Sequence, residues 1–509
     1  MVDTNFYDVV VCGGELGGLI AAALLARRGF RVLLVGDDPM AGMIDVRSEL
    51  GASAPLSRAP AALPPLDDAH VGRVLKELDF SALLKRRAGP PSPVRIWLGK
   101  QSIDLSPDAA ALERDLAREL STPIAALAPP LARADAWGRS VEPLLATAMT
   151  LPPHGFWERR EVGRMESLLP RPGTDALAPL AVDHLLRAAA AAPGALAADL
   201  APGAVGPLAE TRAFALARRG LQVVDGGLGA LQEMLLGRLE TFGGERRRHV
   251  EPVGIVTRRG RAVGLKVSPR DETIGCRWLL WAGGAGALQA VLGAEVAGRD
   301  RIRPLRVTGY RHALAMIVGP RALPAGTPAR VLAVADPARP LWEDNAIAIT
   351  VSRPAAREPD RVPLWIECAV PAHLVDAGPA YLRALRGRLL QTVEQLYPGF
   401  GKQIAVIASA HDGLAPEGPQ AARPPRTGTP APTPTVSPVP LFARAAEGSF
   451  DVTGLPHATP VKNLLLVGRE NLPGLGVEGE IVSAWGAARL VGEAPVRRSP
   501  LGRRILLSG

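Results

Sequence analysis

A glycine-rich turn between an apolar strand and an apolar helix, near the start of the chain, constrains the fold most strongly. Residues 8–19 run from strand-forming valines through Gly-Gly-Glu-Leu-Gly-Gly into an alanine-rich stretch. A second apolar strand follows at residues 31–35, within about thirty residues, the length of a βαβ unit that binds a dinucleotide. The sequence therefore predicts an α/β protein that begins with a Rossmann-like unit.

Glu15 departs from the glycine pattern at its most restrictive place. In the pattern G-x-G-x-x-G the glycines fall at positions 13, 15 and 18, and here Gly13 and Gly18 are present while position 15 is glutamate. The middle glycine lets the backbone approach the phosphates, so a carboxylate there adds both bulk and like charge. Whether a dinucleotide still binds is the question that this sequence raises.

The composition is that of an ordinary globular protein. The chain has 509 residues, 47% of them apolar and 21% charged, which predicts one or two large domains with a sizeable core. Lys and Arg exceed Asp and Glu by 59 − 50 = 9, but the basic residues are scattered, as a biased base composition of the gene would also produce. Aromatic residues make up only 4%, too few for base-stacking platforms, so we expect no nucleic-acid partner.

The cysteines, the position of the first strand and the lengths of the apolar segments indicate the cellular compartment. Cys12, Cys276 and Cys368 lie far apart in strand-like contexts, which predicts buried thiols in a reducing compartment rather than disulfides. The first strand begins so close to Met1 that we expect no signal peptide, and no apolar run has the length of a membrane span. We therefore expect a cytoplasmic protein, and a peripheral contact with a membrane stays open.

The distribution of patterns along the chain predicts two domains. One is a discontinuous dinucleotide-binding domain, built from residues 1–70, 220–295 and 455–495. The other is a substrate domain with a mixed sheet and a helical insertion, built from residues 71–219 and 296–411. Residues 412–445 are rich in Pro, Thr and Ala and are predicted to form a flexible loop.

Three glycine-rich blocks lie near the start, in the middle and near the end of the chain. The first is the turn at residues 13–18, the second is Asp-Gly-Gly-Leu-Gly-Ala-Leu at 225–231 with the strand at 251–255, and the third runs from 463 to 479. Together they resemble the FAD-dependent amine oxidase and phytoene desaturase superfamily, and most of all its carotenoid desaturase and isomerase-like branch. Each block alone is weak evidence, but the three cover both ends and the middle of the chain.

The resemblance implies a cofactor and an activity. In relatives the first turn holds the pyrophosphate of FAD, the strand matching 251–255 contacts the adenine, and the last turn lies beside the flavin ring. The implied activity is an oxidoreductase that removes hydride from a hydrophobic substrate, a polyprenoid or an amine. The residues that this implicates in FAD binding are Gly13, Gly14, Glu15, Gly17, Gly18, Asp37, Val253, Gly468, Arg469, Gly474, Gly476 and Val477.

Three departures from the family pattern fall in the half that would bind adenosine and phosphate. They are Glu15, Gly36 where relatives carry an acidic residue for the ribose, and Met43 where relatives tend to carry a basic one. Asp37 follows Gly36 and could reach the ribose instead. Two explanations stay open: FAD binds with Glu15 turned to solvent or to an arginine, or the fold has lost FAD, as in the Rab GDP-dissociation inhibitor branch, and serves as a binding or carrier protein.

The sequence does not assign catalytic side chains. No metal-ligating spacing of histidines occurs, so we expect no metal site. His411-Asp412 reads either as an acid–base pair or, as we favour, as a turn-capping Asp beside a surface His. Glu478 and Glu480 are expected to cap the last helix. Arg469 is expected either to stabilise a reduced flavin or to bind a phosphate or a carboxylate.

One further segment is aromatic. Residues 151–157, Leu-Pro-Pro-His-Gly-Phe-Trp, lie in the helical insertion. We expect this segment to be buried against the helices, and a contact with a lipid or a bilayer is the alternative.

Overall fold

The structure is a computed structural model that describes residues 5–36, 43–47, 53–171, 174–296, 302–421, 436, 438–443 and 452–493. The strands of these residues are β1 (Phe6–Cys12), β2 (Val32–Val35), β3 (Ile44–Arg47), β4 (Ser53–Leu56), β5 (Ala62–Leu63), β6 (Val94–Leu98), β7 (Gln101–Leu105), β8 (Gln222–Val223), β9 (Glu245–Arg247), β10 (Glu251–Arg258), β11 (Arg261–Ser268), β12 (Glu272–Trp281), β13 (Val307–Val318), β14 (Arg330–Val334), β15 (Ala346–Val351), β16 (Val362–Pro371), β17 (Ile404–Ala408), β18 (Val439–Phe442) and β19 (Leu464–Leu466).

The helices alternate with these strands and cover the faces of two sheets. They are α1 (Leu16–Arg27), α2 (Ala69–Glu77), α3 (Ser81–Arg87), α4 (Ala109–Leu120), α5 (Ile124–Ser140), α6 (Glu142–Leu145), α7 (Gly155–Glu166), α8 (Leu185–Ala197), α9 (Pro207–Arg219), α10 (Gly227–Thr241), α11 (Ala285–Val296), α12 (Ala372–Asp376), α13 (Pro379–Leu396) and α14 (Gly476–Glu493).

The first sheet brings together strands from distant parts of the chain. Its order is β10-β11-β12-β1-β2-β9, with β19 paired to β12. The strands β12, β1, β2, β9 and β19 run parallel to one another, whereas β10 and β11 form an antiparallel hairpin at one edge, and β11 also pairs antiparallel with β12. Parallel strands are buried on both faces, which explains the unbroken apolar runs of β1 and β2.

Helices cover both faces of this sheet. On one face α1, α10 and α14 share a core with β1 and β2, and α1 packs against the other two helices through the alanines of its middle turns. On the other face α11 packs on β12 and β19. The parallel strands therefore direct their carboxyl ends, and the helix starts that follow β1 and β12, toward one edge of the sheet, where ligands bind in folds of this class.

The second sheet is mixed and has the order β17-β13-β16-β15-β14-β6-β7, with β18 paired to β13. Only the β14–β6 pair is parallel. The helices α4, α5, α8 and α9 pack on one face of it, and α13 packs on the other. The α/β class, with a Rossmann-like sheet, a mixed second sheet and a helical insertion, is thus confirmed.

The structure corrects several local expectations. The stretch 52–65 is rich in Pro and Ala, a composition that predicts a surface loop, but it contains β4 and β5. The strand β5 pairs with β8 more than 150 residues away, with Ala62 opposite Val223. Within the predicted flexible loop 412–445, residues 439–442 form the strand β18; most of the remaining predicted loop lies outside the described residues. The three cysteines are buried and unpaired, as expected.

Candidate functional site

The opening glycine turn packs tightly against the sheet. Gly13 has a φ of +105°, a conformation that side chains disfavour, and its N–H donates to the carbonyl of Val35 at 2.9 Å. A Cβ atom on Gly18 would lie 2.6 Å from the Cβ of Ala282 and 2.7 Å from the carbonyl oxygen of Gly13. These two glycines therefore let α1 start directly over the ends of β1 and β12.

The closing glycine turn lies against the start of α1. A Cβ atom on Gly17 would lie 2.8 Å from the Cα of Gly468, so the two turns are in backbone contact there. The N–H of Gly468 donates to the hydroxyl of Ser483 at 2.9 Å, and that hydroxyl donates to Asn471 at 2.7 Å. Side chains of α14 thus hold the closing turn in place.

A carboxylate from α14 occupies the start of α1. The Glu480 side chain is buried, and its Oε2 accepts the N–H of Gly17 at 3.1 Å. N–H groups in the first turn of a helix have no intrahelical partner, and the positive end of the helix dipole favours an anion there. In this protein a carboxyl group of the same chain occupies that position.

Arg469 connects the two turns through a group of acidic residues. Its Nε donates to Glu15 Oε2 at 2.9 Å and its Nη1 to Asp199 Oδ1 at 3.3 Å, while Nη2 lies 3.7 Å from Glu480 Oε1. The Arg469 side chain is only 15% exposed, against 37% for Glu15. We call these four residues the Arg469 cluster. It places one guanidinium among three carboxyl groups.

Burial raises the pKa values of two carboxyl groups of the cluster. For Glu480 burial and the neighbouring carboxylates of Asp199 and Glu15 raise the pKa while Arg469 lowers it, and the resulting pKa is about 7. Burial also raises the pKa of Asp199; its Oδ2 is buried without a hydrogen-bond partner in the described part of the chain. Burial likewise raises the pKa of the neighbouring Glu470 to about 7. Glu470 and Glu480 therefore release their protons at a higher pH than ordinary carboxyl groups do.

The segment that follows α8 packs directly on the closing turn. A Cβ atom on Gly476 would lie 2.1 Å from the carbonyl oxygen of Ala197, and the N–H of Asp199 donates to the carbonyl of Pro473 at 2.8 Å. Beside this contact, between α8, α9 and the turn at Gly474, lies a mainly apolar cavity of about 60 Å³. That volume holds about two water molecules.

A second buried charge network surrounds Arg212 on the other side of the α14 start. Glu478 accepts from Arg212 Nε at 3.1 Å, and its Oε1 lies 2.7 Å from His70 Nε2. Burial would raise the pKa of Glu478, but Arg212 and His70 bring it down to about 2. Asp68, His70 and Glu478 lie close enough together to hold a metal ion, yet Arg212 contacts both carboxylates, so the geometry favours an ion-pair network.

The pair His411-Asp412 belongs to neither turn. Asp412 Oδ1 accepts the N–H of Leu414 at 2.9 Å, which is the turn-capping role that we favoured, but His411 is buried and not at the surface. Its ring lies 5.5 Å from that of His312, beneath α13. Burial lowers the pKa of both histidines, that of His411 to about 4.

The structure brings most of the predicted site residues to one edge of the first sheet. Those at the two turns are Gly13, Gly14, Glu15, Gly17, Gly18, Gly468, Arg469, Gly474, Gly476 and Val477. Val253 lies apart on the edge strand β10 and is 53% exposed, and Asp37 lies outside the described residues. Arg469 binds carboxylates in the structure, which is one of the roles left open for it.

Sequence reasoning missed two members of the cluster. Glu480 does cap a helix, but the helix is α1 and not its own. Asp199 gave no signal, because it follows an alanine- and leucine-rich stretch in which neither a motif nor a clear period stands out. The sequence did contain one indication of the cluster: Glu15 lies in the first glycine-rich block, and Arg469 and Glu480 lie in or just after the last one, so charges of both signs occur in two blocks that the resemblance brings together.

Comparison with solved structures supports the fold. The chain is similar to an oxidoreductase from Methanosarcina mazei, with a TM-score of 0.57 at 16% identity over 94% of this chain and 99% of that one. It is also similar to the PF1083 protein from Pyrococcus furiosus (TM-score 0.53, 14% identity, 95% and 97% covered) and to cyclohexylamine oxidase from Brevibacterium oxydans (TM-score 0.52, 13% identity, 96% and 99% covered). No protein-family model and no curated protein sequence matches the chain.

The fold and the site together define a class of protein. The chain has the fold of solved oxidoreductases along nearly its full length, and its two glycine turns meet where that fold places a dinucleotide. At these identities the likeness concerns the fold alone. Among the described residues, no helix is both long and apolar enough to cross a bilayer.

Proposed function

We propose that this protein is a binding protein that uses an oxidoreductase scaffold without FAD. The observation that carries the proposal is the hydrogen bond from Gly17 N–H to the buried carboxylate of Glu480, 3.1 Å long. In relatives this helix start holds the pyrophosphate. Here a residue of α14 already satisfies the donor, so the protein needs no bound anion to complete the turn.

The electrostatics of the Arg469 cluster oppose a pyrophosphate. The cluster has three carboxyl groups, Glu15, Asp199 and Glu480, around one guanidinium. A pyrophosphate would add two negative charges beside Asp199 and Glu480, whose pKa values are raised because this buried position disfavours negative charge. The residues present do not fit the phosphates of FAD.

The tight packing at the closing turn is a further argument against bound FAD. The backbone of Ala197 and Asp199 contacts the turn from Pro473 to Gly476, beside which relatives place the flavin ring. The adjacent cavity measures about 60 Å³, whereas sites for small organic ligands measure roughly 300–1,000 Å³. A three-ring flavin would not fit this cavity unless the segment after α8 or the closing turn moved.

A second candidate is an FAD-dependent oxidoreductase that acts on a hydrophobic polyprenoid or amine. The tight packing at Gly13 and Gly18 favours it, because these glycines keep the backbone geometry that a dinucleotide turn requires. The contact between Glu15 and Arg469 also turns the acidic side chain toward an arginine. For this function Glu480 would have to leave the start of α1. FAD, when bound in such a protein, supplies the redox chemistry.

Absorbance and titration with FAD separate the two candidates. We expect the purified protein to be colourless and to leave the fluorescence of added FAD unquenched. The double variant Glu15→Gly/Glu480→Ala removes both carboxylates and keeps Arg469, so it is expected to gain FAD affinity by at least about tenfold, the equivalent of 1.4 kcal/mol. The control Glu161→Ala removes an exposed carboxylate of α7 and is expected to leave binding unchanged.

The outcomes are distinct. Visible flavin bands in the wild-type protein, or quenching of FAD by it at micromolar concentrations, would overturn the proposal in favour of the oxidoreductase. A colourless wild type with no gain in the double variant would contradict the role given to the Arg469 cluster.

A further inference from the structure

The helix α7 presents an unusual outer face. Val162 packs into the core, and the residues on the opposite side of the helix are Phe156, Trp157, Arg160 and Arg164. Phe156 is 66% exposed and Trp157 is 74% exposed, whereas Leu151 is buried, so the expected burial of segment 151–157 holds for its first residues and is wrong for its two aromatic ones. Spacings of three, four and seven residues place these side chains on one stripe.

The start of α7 is firmly attached to the protein, so this exposure is not caused by fraying. Glu158 points inward, and its carboxylate accepts the N–H of His154 at 2.7 Å and that of Thr150 at 3.2 Å. The same carboxylate pairs with Arg489 of α14 at 2.7 Å. The first turn of α7 is therefore fixed, and its outward side chains are held away from the core.

The two aromatic rings form a compact apolar projection. Their centroids lie 5.4 Å apart in an edge-to-face arrangement. Single exposed apolar residues are common on protein surfaces, but two adjacent large aromatics held outward mark an interaction surface. Tryptophan is enriched at membrane interfaces, where its ring lies among the headgroups and its N–H stays hydrated.

The charge around the aromatic pair is positive. Arg159 and Arg160 are exposed, and neither has a carboxylate partner in the part of the chain that the structure describes. Arg164 pairs with the exposed Glu161 at 2.9 Å, and the only other acidic residue of the first turns, Glu158, points inward. The chain as a whole carries a net charge of +9. This surface is complementary to a negatively charged partner.

We propose that the outer face of α7 docks on the surface of an anionic lipid bilayer. Phe156 and Trp157 would enter the headgroup region, while Arg160 on the same face and the exposed Arg159 on its flank contact lipid phosphates and carboxylates. Such a contact is peripheral, because a single short amphipathic element with few basic residues gives weak, salt-sensitive binding. The inference depends on the surface of α7 alone and holds whether or not FAD binds.

Vesicle flotation tests this proposal with the full-length protein. We expect binding to vesicles of phosphatidylcholine with phosphatidylserine, weaker binding to pure phosphatidylcholine, and loss of binding at high salt because the charge contact is screened. Phe156→Ser/Trp157→Ser and Arg159→Glu/Arg160→Glu are each expected to lower the partition coefficient by about tenfold or more.

Matched controls lie on the hairpin of β10 and β11. Val253→Ser removes another exposed apolar side chain, and Arg258→Glu/Arg261→Glu reverses two exposed arginines that face each other across the hairpin; neither is expected to change partitioning beyond twofold. Thermal unfolding of every variant verifies that it is folded. Absence of wild-type binding to anionic vesicles overturns the proposal, and so does binding that the α7 variants leave intact. Self-association that Phe156→Ser/Trp157→Ser abolishes, without vesicle binding, identifies a second copy as the partner instead.

Discussion

Two carboxyl groups fill the space around the glycine turns of this protein. Glu480 accepts the N–H of Gly17, and Glu15 binds Arg469. Because Glu480 is buried among other acidic groups, its pKa is raised to about 7, and the folded protein holds a proton there that the unfolded chain, with an ordinary pKa of 4.5, releases. The state of this one residue is therefore linked to folding.

The substitution Glu480→Gln tests that linkage. The contribution of the bound proton to stability is complete below about pH 4.5 and is lost as pH rises through about 7. The amide resembles the protonated acid and does not titrate. We therefore expect the free energy of unfolding of the wild type, minus that of Glu480→Gln, to fall by about 1 kcal/mol per pH unit between pH 5 and 7, as measured by urea denaturation.

Glu161→Gln, in an exposed pair with Arg164, provides the comparison, and its difference from the wild type should stay nearly constant over the same range. A constant difference for Glu480→Gln as well would mean that Glu480 is ionised in the folded protein throughout, and that the start of α1 holds a full negative charge.

The sequence predicted only part of this cluster. Glu15 was identified because it interrupts a pattern with a known geometric reason for each glycine. The contacts of Asp199 and Glu480 with Arg469 were not predicted. Asp199 lies 270 residues from Arg469 in the sequence and Glu480 lies 11 residues from it, and only the folded chain brings both to the same guanidinium. Spacing rules describe neighbours on one element, whereas this site joins three.

At the scale of elements, close backbone contacts hold α1 in its position. The absence of a side chain at Gly17 lets the closing turn touch the helix, and the absence of one at Gly18 lets the helix touch the sheet at Ala282. These contacts involve the fold and no ligand, so the glycines are required even if the crevice binds nothing.

The substitution Gly18→Ala is expected to destabilise the protein by about 1–3 kcal/mol, the range for overpacking a well-packed interior. The added methyl group would lie 2.6 Å from the Cβ of Ala282 and 2.7 Å from a backbone oxygen, and neither atom can move without shifting β12 or the turn. Gly237→Ala in α10 is the control. Nothing lies within 4 Å of the added atom there, so a gain of up to about 1 kcal/mol is expected from helix propensity.

Chemical denaturation of both variants and the wild type measures these differences. Equal stability of Gly18→Ala and the wild type would show that α1 can move away from the sheet, and would reopen the crevice to a larger group.

The long elements were predictable and the short ones were not. The helices α1, α10 and α13 and the hairpin of β10 and β11 carry their own periodicity or turn residues. The short strands β5 and β18 exist through distant partners: β5 pairs with β8, and β18 pairs with β13 and lies next to Leu200. Composition predicted loops at both places, because nothing local in the sequence distinguishes a short buried strand from a proline-rich connection.

At the scale of the whole molecule, the two sheets bury titratable groups of opposite behaviour. Beside the first sheet, Glu470 and Glu480 have pKa values raised to about 7 by burial, and their contribution to stability is lost as pH rises. Beneath the second sheet, burial lowers the pKa of His312 and His411, and their contribution is lost as pH falls. These four groups are therefore expected to place the maximum of stability between the pKa values that they have in the unfolded chain, 4.5 for the glutamates and 6.5 for the histidines.

The substitution His312→Leu isolates the acid side of this profile. His312 is fully buried, and among the described residues neither ring nitrogen has a hydrogen-bond partner, so leucine should change stability at pH 7 by no more than about 1 kcal/mol. The unfolded chain takes up a proton below its ordinary pKa of 6.5, whereas the folded protein resists this because burial, His411 and Arg386 all disfavour the charged ring. The wild type should consequently lose about 1–2 kcal/mol relative to His312→Leu between pH 7 and 5, as measured by urea denaturation at each pH. His373→Leu, at an exposed position in α12, should show no such divergence. Parallel profiles for all three proteins would mean that water reaches His312 in the folded protein before its ring is charged.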